Sequence, residues 1–144
     1  MSVNYQGKII ALWNTFLLGT IFHTDLGLMP LFHGQSVAHS HDTEEIAWIF
    51  WLMLAFFVLP MFAMIATAFT DSKPYRVIHF GLTVVYSVLN LLHVIFDLLV
   101  TPIIWYQITL MIILLIIGLL LNLVSFQWMQ HYLREKRWQE KISI

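Results

Sequence analysis

Two ionisable residues lie within a long apolar stretch of the sequence. His93 and Asp97 are four residues apart in the segment 91–97, whose other members are leucine, valine, isoleucine and phenylalanine. Ionisable side chains are costly in an apolar span and usually have a function there. A spacing of four places both on one face of a helix. Such a pair could bind one metal ion, or one residue could bind the ion while the other orients it.

Further metal ligands are available nearer the N-terminus. His39 and His41 form a His-x-His pair, whose side chains point the same way on a loop or strand. His23 and Glu45 add an imidazole and a carboxylate. The chain has no cysteine, which excludes disulfides, thiolate metal sites and thiol catalysis. Imidazole and carboxylate are then the usual ligands for zinc, copper and iron.

The composition is that of an integral membrane protein. Of the 144 residues, 60% are hydrophobic and only 10% are charged, whereas soluble domains carry about 25% charged residues. The formal net charge is −1, so no basic surface indicates nucleic-acid binding. The length allows a few membrane spans and excludes a sizeable soluble domain.

Four apolar segments predict four transmembrane helices, at about residues 9–28, 46–69, 77–100 and 103–132. Each can cross a hydrocarbon core about 30 Å thick, which needs about 20 helical residues. The sequence therefore predicts an all-α, four-helix, up-down transmembrane bundle. This bundle forms a single domain over residues 1–133, and residues 134–144 form a short basic tail.

The basic residues predict the orientation of the bundle. With four spans, all seven lysines and arginines fall on one side of the membrane. The positive-inside rule places that side, and hence both termini, in the cytoplasm. We expect a bacterial cytoplasmic membrane or its equivalent. The opposite side carries five of the seven histidines and five of the eight acidic residues, with no lysine or arginine.

Depth estimates place several of these groups in one layer. At a rise of about 1.5 Å per residue, His93 lies about 26 Å above Arg76, and Asp97 lies about 31 Å above it. By the same measure, His23 lies about 22 Å above Lys8. Glu45 opens the second helix at a comparable height, and the loop of residues 29–43 could close over the layer.

We therefore predict a small membrane metalloprotein that binds one or two transition metal ions, zinc, copper or iron, near the non-cytoplasmic face. An open coordination position could support redox, oxygen or water chemistry. Nothing in the sequence selects a substrate, and whether the protein is an enzyme stays open. The predicted ligands are His23, His39, His41, Glu45, His93 and Asp97.

A polar face on the third predicted helix continues from this layer towards the cytoplasm. Its residues are spaced alternately by four and three, which indicates one helical face suited to hydrogen bonding between helices. They are His79, Thr83, Tyr86, Asn90, His93 and Asp97. Gly118, Asn122 and Ser125 are predicted to face them from helix 4. Trp128 is predicted to belong to an interfacial aromatic belt.

An alternative is a b-type haem protein with a role in electron transfer. His79 and His93 are 14 residues apart on one helix, which resembles the spacing of the haem-ligating histidines in dihaem cytochromes b. The resemblance implies haem b, and pairings of His79 with His131 and of His93 with His23 are geometrically allowed in this chain. In the cytochromes, one partner helix supplies both opposing histidines, whereas here they come from two helices.

Two further interpretations stay open. Histidines beside acids titrate near physiological pH, which suits a proton-conducting or pH-sensing bundle. Alternatively, the bundle is an accessory subunit of a larger membrane complex, or assembles as a homo-oligomer. In every case the lipid bilayer is the expected surrounding.

Overall fold

The computed structural model describes the backbone of residues 4–36, 43–99, 101 and 103–142, and the side chains of residues 4–36, 47–99, 101 and 103–131. Over these ranges the fold is all-α, as predicted. Four helices are long and apolar enough to cross a membrane, and they pack as a bundle. They are α1 (Tyr5–Leu28), α2 (Thr43–Phe69), α3 (Lys73–Leu99) and α4 (Trp105–Ile142), with a short 3₁₀ helix (Met29–His33) following α1.

The helix ends differ from the sequence prediction for identifiable reasons. α1 begins four residues earlier than expected because Asn4 caps it, its Oδ1 accepting a hydrogen bond from the Gly7 amide at 2.8 Å. α3 also begins earlier, at Lys73, with Pro74 in its first turn. α4 begins at Trp105 and extends to Ile142, through most of the segment predicted as a tail. That segment is rich in glutamate, lysine and arginine, which favour helix.

Contacts between the helices establish an up-down arrangement. Gln6, near the start of α1, donates a hydrogen bond to the carbonyl of Thr67, near the end of α2, at 2.9 Å. The ring of Tyr5 lies 5.7 Å from that of His131 in α4, and Trp13 reaches His79 in the first half of α3. α4 packs against α1 and α3, while α2 packs against α1. We call the end of the bundle where α1 and α3 begin the basic end.

The predicted polar face of α3 is buried over most of its length. His79, Thr83, Tyr86 and Asn90 are each at most 5% exposed. Beside this face, Ser87 accepts a hydrogen bond from Asn122 Nδ2 of α4 at 2.9 Å. These polar residues thus supply the packing surface between helices, as expected in a membrane.

At the basic end, Trp128 is buried, and the prediction of a lipid-facing belt residue is wrong. Its ring covers the guanidinium of Arg76, whose Cζ lies 4.9 Å from the ring centroid. Arg76 also donates to the Trp128 carbonyl at 2.8 Å and pairs with Asp71 in the α2–α3 turn. Trp128 is therefore held inside the bundle by a buried arginine.

In the middle of the bundle, Tyr86 compensates for a proline in α2. Pro60 lies inside α2 and has no amide hydrogen, so it cannot bond to the Phe56 carbonyl four residues earlier. The hydroxyl of Tyr86 donates to that carbonyl at 2.7 Å. In a bilayer, a backbone carbonyl freed by proline needs such a partner from a neighbouring helix. This bond links α2 to α3.

We expect Tyr86→Phe to destabilise the bundle because the Phe56 carbonyl loses its donor. The cost of an unpaired buried carbonyl is about 1–3 kcal/mol. In a Pro60→Ala background the restored amide of residue 60 can donate to the same carbonyl, so the cost of Tyr86→Phe should be smaller by about 1 kcal/mol. Unfolding of the four proteins in mixed detergent micelles measures this difference.

Additive effects of the two substitutions would contradict this explanation. Thr15→Val is a suitable control. The Thr15 hydroxyl also donates to a helix carbonyl, that of Ala11, but this exposed bond joins no second helix.

Candidate metal centre

Two histidines and one carboxylate meet at the end of the bundle opposite the basic end. His23 of α1 and His93 and Asp97 of α3 each offer one ligand atom, and these three atoms lie within 4.8 Å of one another. His23 Nε2 is 4.0 Å from Asp97 Oδ2, and His93 Nε2 is 3.5 Å from Asp97 Oδ1. We call these residues the triad and this end of the bundle the triad end.

Helix register explains why the three side chains meet. The four-residue spacing puts His93 and Asp97 on one face of α3. α1 runs in the same direction as α3, and the rings of Phe16 and Tyr86 meet at 6.3 Å. Seven residues, or about two turns, further along each helix, His23 and His93 have ring centroids 5.2 Å apart. Because the two helices are parallel, the same number of residues along each leads from the contact of Phe16 with Tyr86 to the contact of His23 with His93.

The three side chains of the triad differ in solvent exposure. The side chain of His23 is 12% exposed, that of Asp97 25% and that of His93 51%. Two buried polar atoms, Asp97 Oδ2 and His23 Nδ1, have no hydrogen-bond partner among the described residues. Burying a carboxylate oxygen in an apolar environment without a hydrogen-bond partner costs free energy. A bound cation would satisfy it.

The distances in the triad are close to those of a metal site. Zinc–ligand bonds of about 2.0–2.2 Å in a tetrahedron separate neighbouring ligand atoms by about 3.3 Å. The two imidazole–carboxylate separations of 3.5 and 4.0 Å exceed this value by less than 1 Å. The three ligand atoms lie within 4.8 Å of one another, so coordination would require them to approach by up to about 1.5 Å. Three protein ligands would leave a fourth position open.

The structure describes the other three predicted metal ligands only in part. His39 and His41 lie outside the described residues. Glu45 lies in the first turn of α2, and its side chain is likewise outside the described part. The structure therefore brings together three of the six predicted ligands, and participation of the other three stays a prediction.

Of the two histidine pairs of the haem alternative, His23 and His93 are the neighbours already described, and His79 and His131 have other contacts. His79 is 1% exposed, and its Nε2 accepts a hydrogen bond from Trp13 Nε1 at 3.0 Å. That nitrogen is thereby occupied by a donor, whereas the Nδ1 atom of His79 has no hydrogen-bond partner among the described residues. His131 is exposed and lies beside Tyr5. The partnership of Trp13 and His79 had no signal in the sequence, because the two residues are 66 positions apart.

The triad is not supported by any known relative. No protein-family model, curated protein or solved structure matches this chain. The functional inference therefore rests on the described side chains. They form an all-α, membrane-type bundle with a His/His/Asp group that could hold a metal ion.

Proposed function

We propose that this protein is a membrane metalloprotein that binds a transition metal ion through His23, His93 and Asp97. The observation that carries the proposal is the convergence of three ligand atoms from two helices within 4.8 Å, at a carboxylate oxygen with no hydrogen-bond partner among the described residues. Lys8, Lys73 and Arg76, the basic residues with described side chains, lie at the opposite end. None of these three can neutralise Asp97.

The donor set limits the kind of metal. Two imidazoles and a carboxylate, with no thiolate anywhere in the chain, suit zinc, copper or iron in the divalent state. His93 is the most exposed of the three proposed ligands. Glu45 and either His39 or His41 are proposed to complete the coordination, or to hold a second ion.

The position of the triad supports a site at the membrane boundary. Asp97 lies 24 residues beyond Lys73 on α3, or about 36 Å along the helix axis. That length exceeds a hydrocarbon core of about 30 Å. Trp48, Trp51 and Trp105 are more than 60% exposed at the same end, as is usual at a membrane–water interface. We propose that this face is the non-cytoplasmic one.

We expect the protein purified without chelators to bind about one ion of zinc, copper or iron per chain, measured by elemental analysis after dialysis. His23→Ala, His93→Ala and Asp97→Ala should each weaken binding more than tenfold, because each removes a direct ligand. His33→Ala is the matched control, since His33 is an exposed histidine in the neighbouring 3₁₀ helix. A wild type without metal after incubation with each ion, or triad variants that bind like the His33 control, would exclude the proposal.

The orientation can be tested directly because the chain has no cysteine. Gln35→Cys near the triad end and Lys73→Cys at the basic end each introduce a single exposed thiol. A membrane-impermeant maleimide should label position 35 in intact bacterial cells and position 73 only after permeabilisation. The reverse pattern would place the triad on the cytoplasmic side.

A further inference from the structure

A cavity of about 470 Å³ lies directly beneath the triad. Residues from all four helices line it, and Leu52 of α2 and Phe96 of α3 lie at its edge with 51% and 62% exposure. Hydrogen bonds join α2 to α3 at Tyr86 and, nearer the basic end, between Thr67 and Tyr75. The cavity lies on the other side of Phe56, towards the triad. It therefore opens between α2 and α3 towards the surface that lipid would cover.

The two sides of the cavity differ in polarity. The α2 side is apolar and includes Phe56 and Phe57. The opposite side carries His23 and His93 and, one turn below His93, Asn90. The volume is within the range of pockets for small organic ligands, which are mostly apolar with a few placed polar groups.

Two residues of the cavity wall have a buried polar atom without a partner among the described residues, His23 and Asn90, and Asn90 is the one that the proposed metal site does not use. It is 5% exposed, and its Oδ1 has no hydrogen-bond partner among the described residues. Thr20 and Thr24, which also line the cavity, donate to carbonyls of their own helix at 2.9 and 3.1 Å. The threonine hydroxyls are thus already bonded, whereas the amide of Asn90 is left with unused capacity.

We propose that this cavity binds a lipid-soluble phenol, with the hydroxyl on Asn90 and the apolar body between α2 and α3. A hydroxyl both donates and accepts, so it can bond to the amide in either of its two orientations. An aromatic ring packs favourably on Phe56 and Phe57. This binding goes beyond the proposed metal site: His23 and His93 line the cavity as well, but the group proposed to hold the hydroxyl, Asn90, is not one of the proposed metal ligands.

The probes are 4-heptylphenol and heptylbenzene, which differ only in the hydroxyl group. Each is titrated into the full chain in nanodiscs, and partition into empty nanodiscs is subtracted. We expect saturable binding of about one 4-heptylphenol per chain, with heptylbenzene at least tenfold weaker. Asn90→Leu should weaken phenol binding about tenfold and leave heptylbenzene unchanged. Equal binding of the two probes, or no effect of Asn90→Leu, would overturn the proposal.

Matched variants separate the cavity from the rest of the bundle. Leu52→Trp should abolish binding of both probes by filling the cavity, whereas Leu54→Trp, equally exposed on the same helix but outside the cavity, should not. Loss of binding in both tryptophan variants would count against the cavity as the site. Asp97→Asn should lose the metal and keep phenol affinity within threefold, so failure of the metal proposal is visible separately.

Discussion

The hydrogen bond from Tyr86 to the Phe56 carbonyl is the interaction on which the arrangement of the bundle depends. A proline in a membrane helix leaves one backbone carbonyl without its amide donor, and lipid offers no water to replace it. The bundle supplies a phenolic hydroxyl from α3 at 2.7 Å. The same ring packs against Trp13 and Phe16 of α1. One side chain thus joins α1, α2 and α3 at mid-height.

Everything proposed at the triad end follows from this junction. α4 packs against both α1 and α3, and the contacts of Trp13 with His79 and of Phe16 with Tyr86 join α1 to α3 directly. Two turns further along, the same register brings His23 to His93. Beyond Phe56, residues from all four helices line the cavity. The metal site and the cavity therefore both lie on the triad side of the Tyr86 contacts. They differ in the side chains that would hold their ligands.

The sequence predicted the relative heights of the triad residues along their helices and the helix face that His93 and Asp97 share, because both follow from constant rise and periodicity. Those two quantities were enough to place His23, His93 and Asp97 in one layer, where the structure brings them within 4.8 Å. The rotation of each helix about its axis depends on side-chain packing, which spacing does not encode. For this reason the sequence missed the bond between Trp13 and His79 and the burial of Trp128 against Arg76.

The central claim is that the triad coordinates a metal ion directly. X-ray absorption at the K-edge of the bound metal, on protein in nanodiscs, measures its ligands. We expect about two imidazoles, identified by their multiple scattering, and at least one carboxylate oxygen, at about 2.0–2.2 Å for zinc. His93→Ala should reduce the imidazole contribution. A coordination shell of oxygen alone, or one unchanged by His93→Ala, would contradict the account.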